Sequence, residues 1–394
     1  MTQPMWLLCG LAEHDWWLAL ARLKQGLSGG GTEALEDYAA LFGSLVRAGH
    51  ASVPHALAAE LLYGRMDIAP ERLEQGTLRQ AFELDVARLA GLASIDWQAL
   101  VASRTGQAPP PLSGLAPLTD GPLDDVAQAL SRGEVNLEAL FRIFGSRGQG
   151  VLARADAFSW SQGRLQTVPR PPRARFSQLH GLETQLTELR STVEPWLGGG
   201  SRLHILLYGP RGSGKSTSAR ALLEEYAPAG LRIVEVQPHD LVSIGGLLPR
   251  LAASPLKFVL FVDDLGFGRD DSGWQQLKTL LDGTLQPLPS NVLVLATSNR
   301  RALVQQRHSE RPDPLDDDAS SWDTLDEKMA LADRFGRVIT FPASDQRRFL
   351  AIVSHLARQR GLDPAGLDEA AILFARRGNG MSGRTARQFV DSLG

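Results

Sequence analysis

The sequence predicts an α/β protein with a doubly wound, parallel, five-stranded sheet, preceded by an all-helical N-terminal domain and followed by a small helical C-terminal segment. The main observation is a series of continuously apolar runs, which are typical of parallel strands covered by helices on both faces. Helical patterns lie between most of these runs, and such alternation indicates a doubly wound sheet. The five runs are at 203–208, 232–236, 258–262, 292–296 and 337–341.

Residues 1–150 are predicted to form the helical domain, because apolar residues recur there at spacings of three and four. The stretch "APPPLSGLAPLTDGP", at about 108–122, predicts a linker within it, since proline removes a backbone donor and fixes φ. Residues 151–175 are predicted to form a hairpin, around the Gln-Gly pair of "DAFSWSQGRLQTV", and a basic connector. The α/β domain is predicted over 176–342 and the helical C-terminal segment over 343–394.

Composition narrows the class of protein. The hydrophobic fraction of 43% and the charged fraction of 22% are ordinary for a globular protein, and the net charge of -3 creates no chain-wide attraction to nucleic acid or membrane. A single cysteine, Cys9, excludes an intramolecular disulfide and a cysteine-rich zinc site. The first residues lack the pattern of a signal peptide, and no apolar run is long enough to span a membrane. We therefore expect a cytoplasmic protein.

A phosphate-binding loop is predicted directly after the first strand of the α/β domain. The stretch "GPRGSGKST" fits the pattern G-x-x-x-x-G-K-[ST] between a strand and a helix. Glycines let the backbone N–H groups turn toward phosphates, and the helix that follows presents its positive end. The alternative is a glycine-rich structural turn. The predicted contacts are Gly209, Pro210, Arg211, Gly212, Ser213, Gly214, Lys215, Ser216 and Thr217.

Within this loop, Lys215 is expected to neutralise the β- and γ-phosphate oxygens, and the Ser216 hydroxyl to coordinate Mg²⁺. A distant apolar strand, "FVLFVDD", ends in two aspartates. Asp263 is predicted to help hold Mg²⁺, with a helix cap as the structural alternative. Asp264 then stands where a general base would activate water, and its side chain is one methylene shorter than a glutamate. The sequence therefore predicts ATP and Mg²⁺ as ligands.

Together these segments resemble an AAA+ ATPase. "GPRGSGKS" resembles the Walker A motif, "FVLFVDD" resembles Walker B, and "LVLATSN" resembles the sensor-1 strand. The resemblance implies that Asn299 orients the attacking water, although asparagine is also a common residue at the end of a strand. "QLHGLETQ" resembles the segment that touches the adenine, which implies contacts from Gly181 and Leu182.

Two arginines gain roles from the same resemblance. "LADRFG" resembles the arginine-finger box, so Arg334 is expected to reach the γ-phosphate of a neighbouring subunit; the alternative is an ion pair with the acidic segment 313–323. "MSGRTARQF" resembles the start of the sensor-2 helix in the C-terminal lid, so Arg384 is expected to reach the nucleotide. Arg387 is the competitor for that role, and ordinary surface charge is the alternative for Arg384.

Residues 150–394 resemble more closely one bacterial family of uncharacterised AAA+ ATP-binding proteins that is filed under a domain of unknown function. The runs that carry this are "DDLGF", "LKTLLDG", "ATSNRR", "EKMALADRFG" and "SGRTARQF". In that family the paired aspartates are the usual form of the motif. The N-terminal helices lie outside the resemblance.

The resemblance implies a Mg-ATP-dependent ATPase that works as a homo-oligomeric ring, with a hexamer favoured, and remodels a protein or protein–nucleic-acid assembly. The N-terminal helical domain is expected to bind an unknown protein client. One alternative is an ATP-dependent switch or scaffold with slow turnover. A further alternative is a nucleic-acid loader or helicase-like ATPase, suggested by the arginines in "RRFLAIVSHLARQRG" and "FARRGNG".

Overall fold

A computed structural model describes residues 5–29, 33–64, 68, 70–116, 121–265, 272–282, 287–299, 334–378 and 380–393. The chain divides into two compact units. The first comprises Met1–Ala155 with Ala253–Pro255, and the second comprises Asp156–Ala252 with Leu256–Gly394.

The first unit is helical over its described residues. Its apolar core includes Trp16, Leu23, Tyr38, Phe82 and Phe144, which lie on helices whose apolar faces turn toward one another. Its helices are α1 Asp15–Gly29, α2 Glu33–Ala48, α3 Val53–Tyr63, α4 Pro70–Leu73, α5 Gly76–Ala93, α6 Trp97–Thr105, α7 Gly121–Arg132 and α8 Leu137–Arg147, with short 3₁₀ helices at Cys9–Glu13 and Gly150–Ala153.

The second unit is built on one twisted sheet. Its strands are β1 Ala157–Ser161, β2 Arg164–Thr167, β3 Ile205–Tyr208, β4 Leu231–Val236, β5 Lys257–Val262, β6 Val292–Ser298 and β7 Arg337–Thr340. They lie in the order β2-β1-β4-β5-β6-β3-β7, and every neighbouring pair is parallel except the antiparallel β1–β2 hairpin. The predicted α/β class with a parallel-dominated sheet is confirmed.

The prediction of five strands is wrong, because the sheet has seven strands among the residues that the structure describes. β1 pairs in parallel with β4, from Ala157 opposite Ile233 to Trp160 opposite Val236, so the hairpin extends the sheet rather than standing apart from it. An uncovered β4 would present unpaired N–H and C=O groups at its edge, and β1 satisfies them. Asp240 secures the hairpin turn by accepting the Gln162 N–H at 3.0 Å.

Helices cover this sheet, as its continuously buried central strands require. They are α9 Glu183–Leu197, α10 Lys215–Tyr226, α11 Leu248–Ala252 and α12 Ser272–Asp282, with 3₁₀ helices at Phe176–Gln178, Ala227–Ala229 and Pro238–Gly246. None of the helices in the part of the chain that the structure describes is both long and apolar enough to cross a membrane.

Three C-terminal helices form a separate small cluster, which we call the lid. They are α13 Gln346–Gln359, α14 Asp368–Arg377 and α15 Gly383–Asp391. Phe349, Val353, Ala375 and Phe389 are among the buried residues that hold the lid together.

The order of the strands determines where polar side chains meet. β5, β6 and β3 are adjacent and parallel, so their carboxyl ends lie at one edge of the sheet. β3 leads into Gly209, β5 into Asp263 and β6 into Asn299. Ligands of open α/β sheets bind at this edge, which makes it the first place to look for a site.

Candidate nucleotide-binding site

The loop between β3 and α10 has the backbone that a phosphate cradle needs. Gly209 has a φ of 151°, and a β-carbon there would lie 2.4 Å from the Phe341 carbonyl oxygen. Its N–H donates to the Ser298 carbonyl at 3.2 Å, which ties the loop to the end of β6. Only glycine fits this position, so the loop packs closely against the residue that follows β7 as it leaves the sheet.

Lys215 is the first residue of α10 and is only 5% exposed. Its ammonium donates to the carbonyls of Gly209 and Pro210, at 2.7 and 2.9 Å, and to Oδ1 of Asn299 at 2.6 Å. Burial lowers the pKa of Lys215 to about 8, partly offset by the charges of Asp263 and Asp264. Lys215 is therefore a desolvated cation held at the junction of the loop and β6.

Asp263 accepts two hydroxyl hydrogen bonds on the same oxygen. Ser216 Oγ donates to Oδ1 at 2.7 Å, and Thr297 Oγ1 donates to it at 2.6 Å. The hydroxyl and carboxylate that are predicted to bind Mg²⁺ are therefore adjacent in the fold.

Asp264 has a left-handed backbone conformation, with a φ of 54°. Its N–H donates to Thr297 Oγ1 at 2.9 Å, and its Oδ1 accepts a hydrogen bond from the Asn299 amide nitrogen. Arg211 Nη2 lies 3.7 Å from the other carboxylate oxygen. The Asp264 side chain is 59% exposed, which leaves it open to water and to a bound ligand.

These groups line a cavity of about 570 Å³. The lining includes the loop, the two aspartates, Asn299 and the lid residues Arg384 and Arg387. It also includes five apolar residues, Leu179, Leu182, Pro342, Ile352 and Leu356, together with Gln178, His180, Ser344 and Arg348. A cavity lined by several cations and several apolar side chains suits a ligand that has phosphates and a flat apolar base.

The lid contributes to this cavity through direct contacts. The N–H of Gly383, at the start of α15, donates to the Gly212 carbonyl at 3.1 Å. Arg348 on α13 donates to the Gly181 carbonyl, and His355 on the same helix stacks on His180 with ring centroids 4.8 Å apart. The lid therefore contacts both the phosphate loop and the segment before α9.

The structure brings most of the predicted site residues to this cavity. Leu182, Asp263, Asp264, Asn299, Arg384 and the loop residues 211–217 line it. Gly209 and Pro210 contribute carbonyls that bind Lys215, and Gly181 lies between two lining residues. Arg384 and its competitor Arg387 both line the cavity.

Arg334 is not among the described residues that line the cavity. Its guanidinium instead binds the carboxylate of Asp282, the last residue of α12. The acidic segment 313–323, the alternative partner that the sequence suggested, lies outside the described residues.

Sequence reasoning missed two contributors. Thr297 contacts both aspartates, and Arg348 lines the cavity and donates to the Gly181 carbonyl. No local signal marks Thr297, because its position beside "FVLFVDD" follows from the pairing of β6 with β5 in the sheet.

The donor set fits a magnesium nucleotide. Ser213 Oγ and Ser344 Oγ are buried without a hydrogen-bond partner among the described residues, and both residues line the cavity. Across the same described residues, no group of three or more His, Cys, Asp or Glu side chains is arranged to hold a metal. Mg²⁺ usually takes one or two protein ligands and completes its shell with phosphates and water, and Ser216 with Asp263 matches that habit.

The phosphate loop follows β3, the acidic pair follows β5, and the asparagine follows β6, the strand between them. This is the arrangement of AAA+ ATPases. A model of the family described as "Protein of unknown function (DUF815)" matches residues 153–394. The chain belongs to this family.

The chain is also similar over part of its length to two curated proteins. The chain is 30% identical over 226 residues to the ESX-3 secretion system protein EccA3 of Mycobacterium leprae, covering 51% of this chain and 32% of that protein. It is 27% identical over 211 residues to a proteasome-activating nucleotidase of Saccharolobus islandicus. That match covers 47% of this chain and 48% of the nucleotidase. The chain thus spans less than half the length of either relative.

Among solved structures, a point mutant of RuvB from Thermotoga maritima is similar to this chain. The match covers 54% of this chain and 62% of the RuvB chain. The TM-score is 0.35 and the sequence identity is 18%.

Proposed function

We propose that this chain binds Mg-ATP in the cavity and hydrolyses it. The observation that carries the proposal is one hydrogen-bonded array, in which the Asn299 amide joins Lys215 to Asp264. Asp263 and Ser216 lie beside that array. The phosphate-binding cation, the residue proposed as base and the residues proposed to hold the metal thus meet at one edge of the sheet.

The charged side chains that line the cavity suit a triphosphate. Arg211, Lys215, Arg220, Arg384 and Arg387 all line the cavity, against the two aspartates. This positive excess favours a highly anionic ligand. Ser216 and Asp263 would hold Mg²⁺, which supplies charge neutralisation on the phosphate oxygens when it is bound.

The proposed chemistry of this chain rests on Asp264. Its exposed carboxylate would accept a proton from the attacking water, while Asn299 orients that water with its amide. The Asn299 amide already binds Asp264, so the two side chains are positioned together. Arg384 would contact the phosphates from the lid.

The apolar part of the cavity would hold the adenine. Leu179 and Leu182 come from the segment before α9, and Ile352 and Leu356 come from lid helix α13. We propose that Gly181 contributes through its backbone. Because the segment before α9 and the lid would both contact the base, nucleotide binding would depend on the position of the lid.

We further propose that the chain works as a ring, with six subunits favoured, in which Arg334 acts on the site of a neighbour. We propose this role from the arginine position in "LADRFG"; in its own subunit the Arg334 guanidinium binds Asp282. The energy of hydrolysis would remodel a protein or protein–nucleic-acid assembly. The client would bind the N-terminal helical unit, which lies almost wholly outside the matched family region.

A second candidate function is a nucleotide-dependent switch or scaffold with slow turnover. The short side chain of Asp264 and its ties to Asn299 and Arg211 favour this alternative, because a restrained base reaches less far toward water. Binding to a nucleic acid is a further alternative, and the net charge of -3 does not favour it.

The proposal is tested by measuring ATP binding and phosphate release by the purified chain, with Mg²⁺ and with EDTA. Lys215→Ala is the control, because it leaves the triphosphate charge uncompensated in a partly desolvated site. We expect the parent to bind ATP, and to release phosphate only when Mg²⁺ is present. Lys215→Ala should neither bind ATP nor release phosphate. Equal ATP affinity in the two proteins would contradict the proposal.

The rate of ATP turnover distinguishes the two candidate functions. Steady turnover that a protein partner stimulates would favour a remodelling motor. Tight ATP binding with rare turnover would favour a switch. Salt-dependent binding to DNA that stimulates turnover would instead favour the nucleic-acid alternative.

A further inference from the structure

Thr297 lies on β6, two residues before Asn299, and it is 1% exposed. It holds three consecutive residues of the segment that follows β5. Its hydroxyl donates to Asp263 Oδ1 at 2.6 Å and accepts the Asp264 N–H at 2.9 Å. Its main-chain carbonyl accepts the Leu265 N–H at 2.8 Å.

We infer that Thr297 is the positioning residue of the acidic pair, and that it sets the carboxylate of Asp263 and the backbone of Asp264 through one hydroxyl. This inference rests on the proposed function of the two aspartates. Thr297 lines the cavity, but its hydroxyl is engaged by both aspartates, and it would act through them.

The backbone of Asp264 shows why such a residue is needed. Its φ of 54° is in the left-handed region, which residues with a β-carbon usually avoid. The conformation turns the Asp264 N–H onto the buried hydroxyl of Thr297. Without that acceptor, the N–H would lose its bond and the strained turn would lose one of its restraints.

The same conformation explains the type of residue at position 264. Aspartate and asparagine adopt left-handed φ values several-fold more often than other residues with side chains. The turn that Thr297 holds therefore favours aspartate over glutamate as the residue placed to act as base. We expect Asp264→Glu to slow turnover, although its carboxylate reaches further.

The second link runs to the residue proposed to hold the metal. The hydroxyls of Thr297 and Ser216 both donate to Oδ1 of Asp263, so the carboxylate is fixed from β6 and from α10. Groups that orient a metal ligand in this way typically change metal affinity or activity by about 10–100-fold when they are removed.

The experiment compares Thr297→Val, which removes the hydroxyl, with Thr297→Ser, which keeps it. The first readout is hydrogen exchange of the Asp264 amide in the nucleotide-free chain. We expect Thr297→Val to exchange up to about tenfold faster, as the loss of one hydrogen bond predicts. Thr297→Ser should exchange at close to the parental rate.

The second readout is the Mg²⁺ concentration that gives half-maximal ADP binding. Thr297→Val should raise it by about 10–100-fold and lower kcat by a similar factor. ADP binding in EDTA should stay unchanged, because the phosphate loop is intact. Thr297→Ser should follow the parent in every measurement.

The inference is overturned if Thr297→Val keeps the parental exchange rate and Mg²⁺ dependence, or if Thr297→Ser behaves like Thr297→Val. If Asp264→Glu hydrolyses ATP at or above the parental rate, the inference that the turn favours aspartate at position 264 is overturned. If Thr297→Val shows no cooperative thermal transition, Thr297→Cys replaces it, because a thiol is a weak donor. If Thr297→Cys shows the parental exchange rate, the parental Mg²⁺ dependence and the parental kcat, the inference is overturned.

Failure of the proposed function gives a different result. A parent chain that never hydrolyses ATP contradicts hydrolysis, while the exchange rate of the Asp264 amide still decides the role of Thr297.

Discussion

The ammonium of Lys215 lies 2.6 Å from Oδ1 of Asn299, and the nitrogen of the same amide donates to Asp264. One side chain therefore connects the cation of the phosphate loop with the carboxylate at the end of β5. The connection is possible because β6 lies between β3 and β5 in the sheet.

The state of Lys215 predicts how nucleotide affinity depends on pH. Burial lowers its pKa to about 8, so the nucleotide-free ammonium loses its proton as pH rises through that value. Phosphate binding needs the charged form, so binding above pH 8 requires proton uptake. We expect ATP affinity to be flat just below pH 8 and then to fall by up to about tenfold per pH unit.

Isothermal titration of ATP between pH 7 and 10 measures this dependence. Lys215→Arg is the matched control, because a guanidinium stays charged throughout that range. Its affinity should be lower but nearly constant with pH. An equal decline in both proteins would assign the titration to another group.

Gly212 predicts a test of the lid contact. Its φ is 74°, and a β-carbon would lie 2.8 Å from the side chain of Ser382 in the lid. Gly212→Ala should lower the free energy of unfolding by about 1–2 kcal/mol through the backbone alone. It should also weaken ATP binding, because the lid must move away from the phosphate loop.

Gly366→Ala is the control for backbone strain. Its φ is 81°, and among the described residues no atom lies within 4 Å of the place that a β-carbon would take. Thermal unfolding should show a similar loss of stability in both variants, and ATP titration a loss of affinity in Gly212→Ala alone. Equal ATP affinities would mean that the lid contact does not matter for binding.

The sequence was sufficient for the elements that have local signals. Continuous apolar runs located β3 to β7, and the glycine-lysine pattern located the loop. Pairing of β1 with β4 has no such signal, because a short alternating hairpin looks the same whether or not it joins a larger sheet. The strand count was therefore wrong at this edge only.

Thr297 and Arg334 show why part of the site needed coordinates. Threonine is common in strands for reasons of packing, so its hydroxyl gave no local sign of bonding two aspartates from the next strand. Arg334 binds Asp282, an acidic residue far away in sequence that nothing in "LADRFG" identifies. Both relationships depend on how distant segments pack.

Arg334→Ala should leave ATP binding intact and lower turnover by a factor on the order of 10³ or more, if the guanidinium stabilises transition-state charge in a neighbouring site. Arg337→Ala is the control, because Arg337 lies three residues away and pairs with Glu188 at 2.8 Å within its own subunit. Its turnover should stay near that of the parent.

Mixing Arg334→Ala with Lys215→Ala tests the role in trans. Mixed rings would place an intact site beside an intact arginine, so some ATPase activity should return. A protein that is monomeric at every concentration tested, with constant specific activity, would refute the finger assignment.

Asp264 is proposed to act as the base in Mg-ATP hydrolysis, and the variant Asp264→Asn isolates that role. This change keeps the size of the side chain and suits the left-handed backbone, but it removes the proton acceptor. The measurement is a single-turnover experiment with radiolabelled ATP and excess protein, in which bound nucleotide is separated as ATP or ADP over time. We predict that the variant binds ATP and retains it as triphosphate while the parent converts it to ADP. Conversion by Asp264→Asn at the parental rate would contradict the claim.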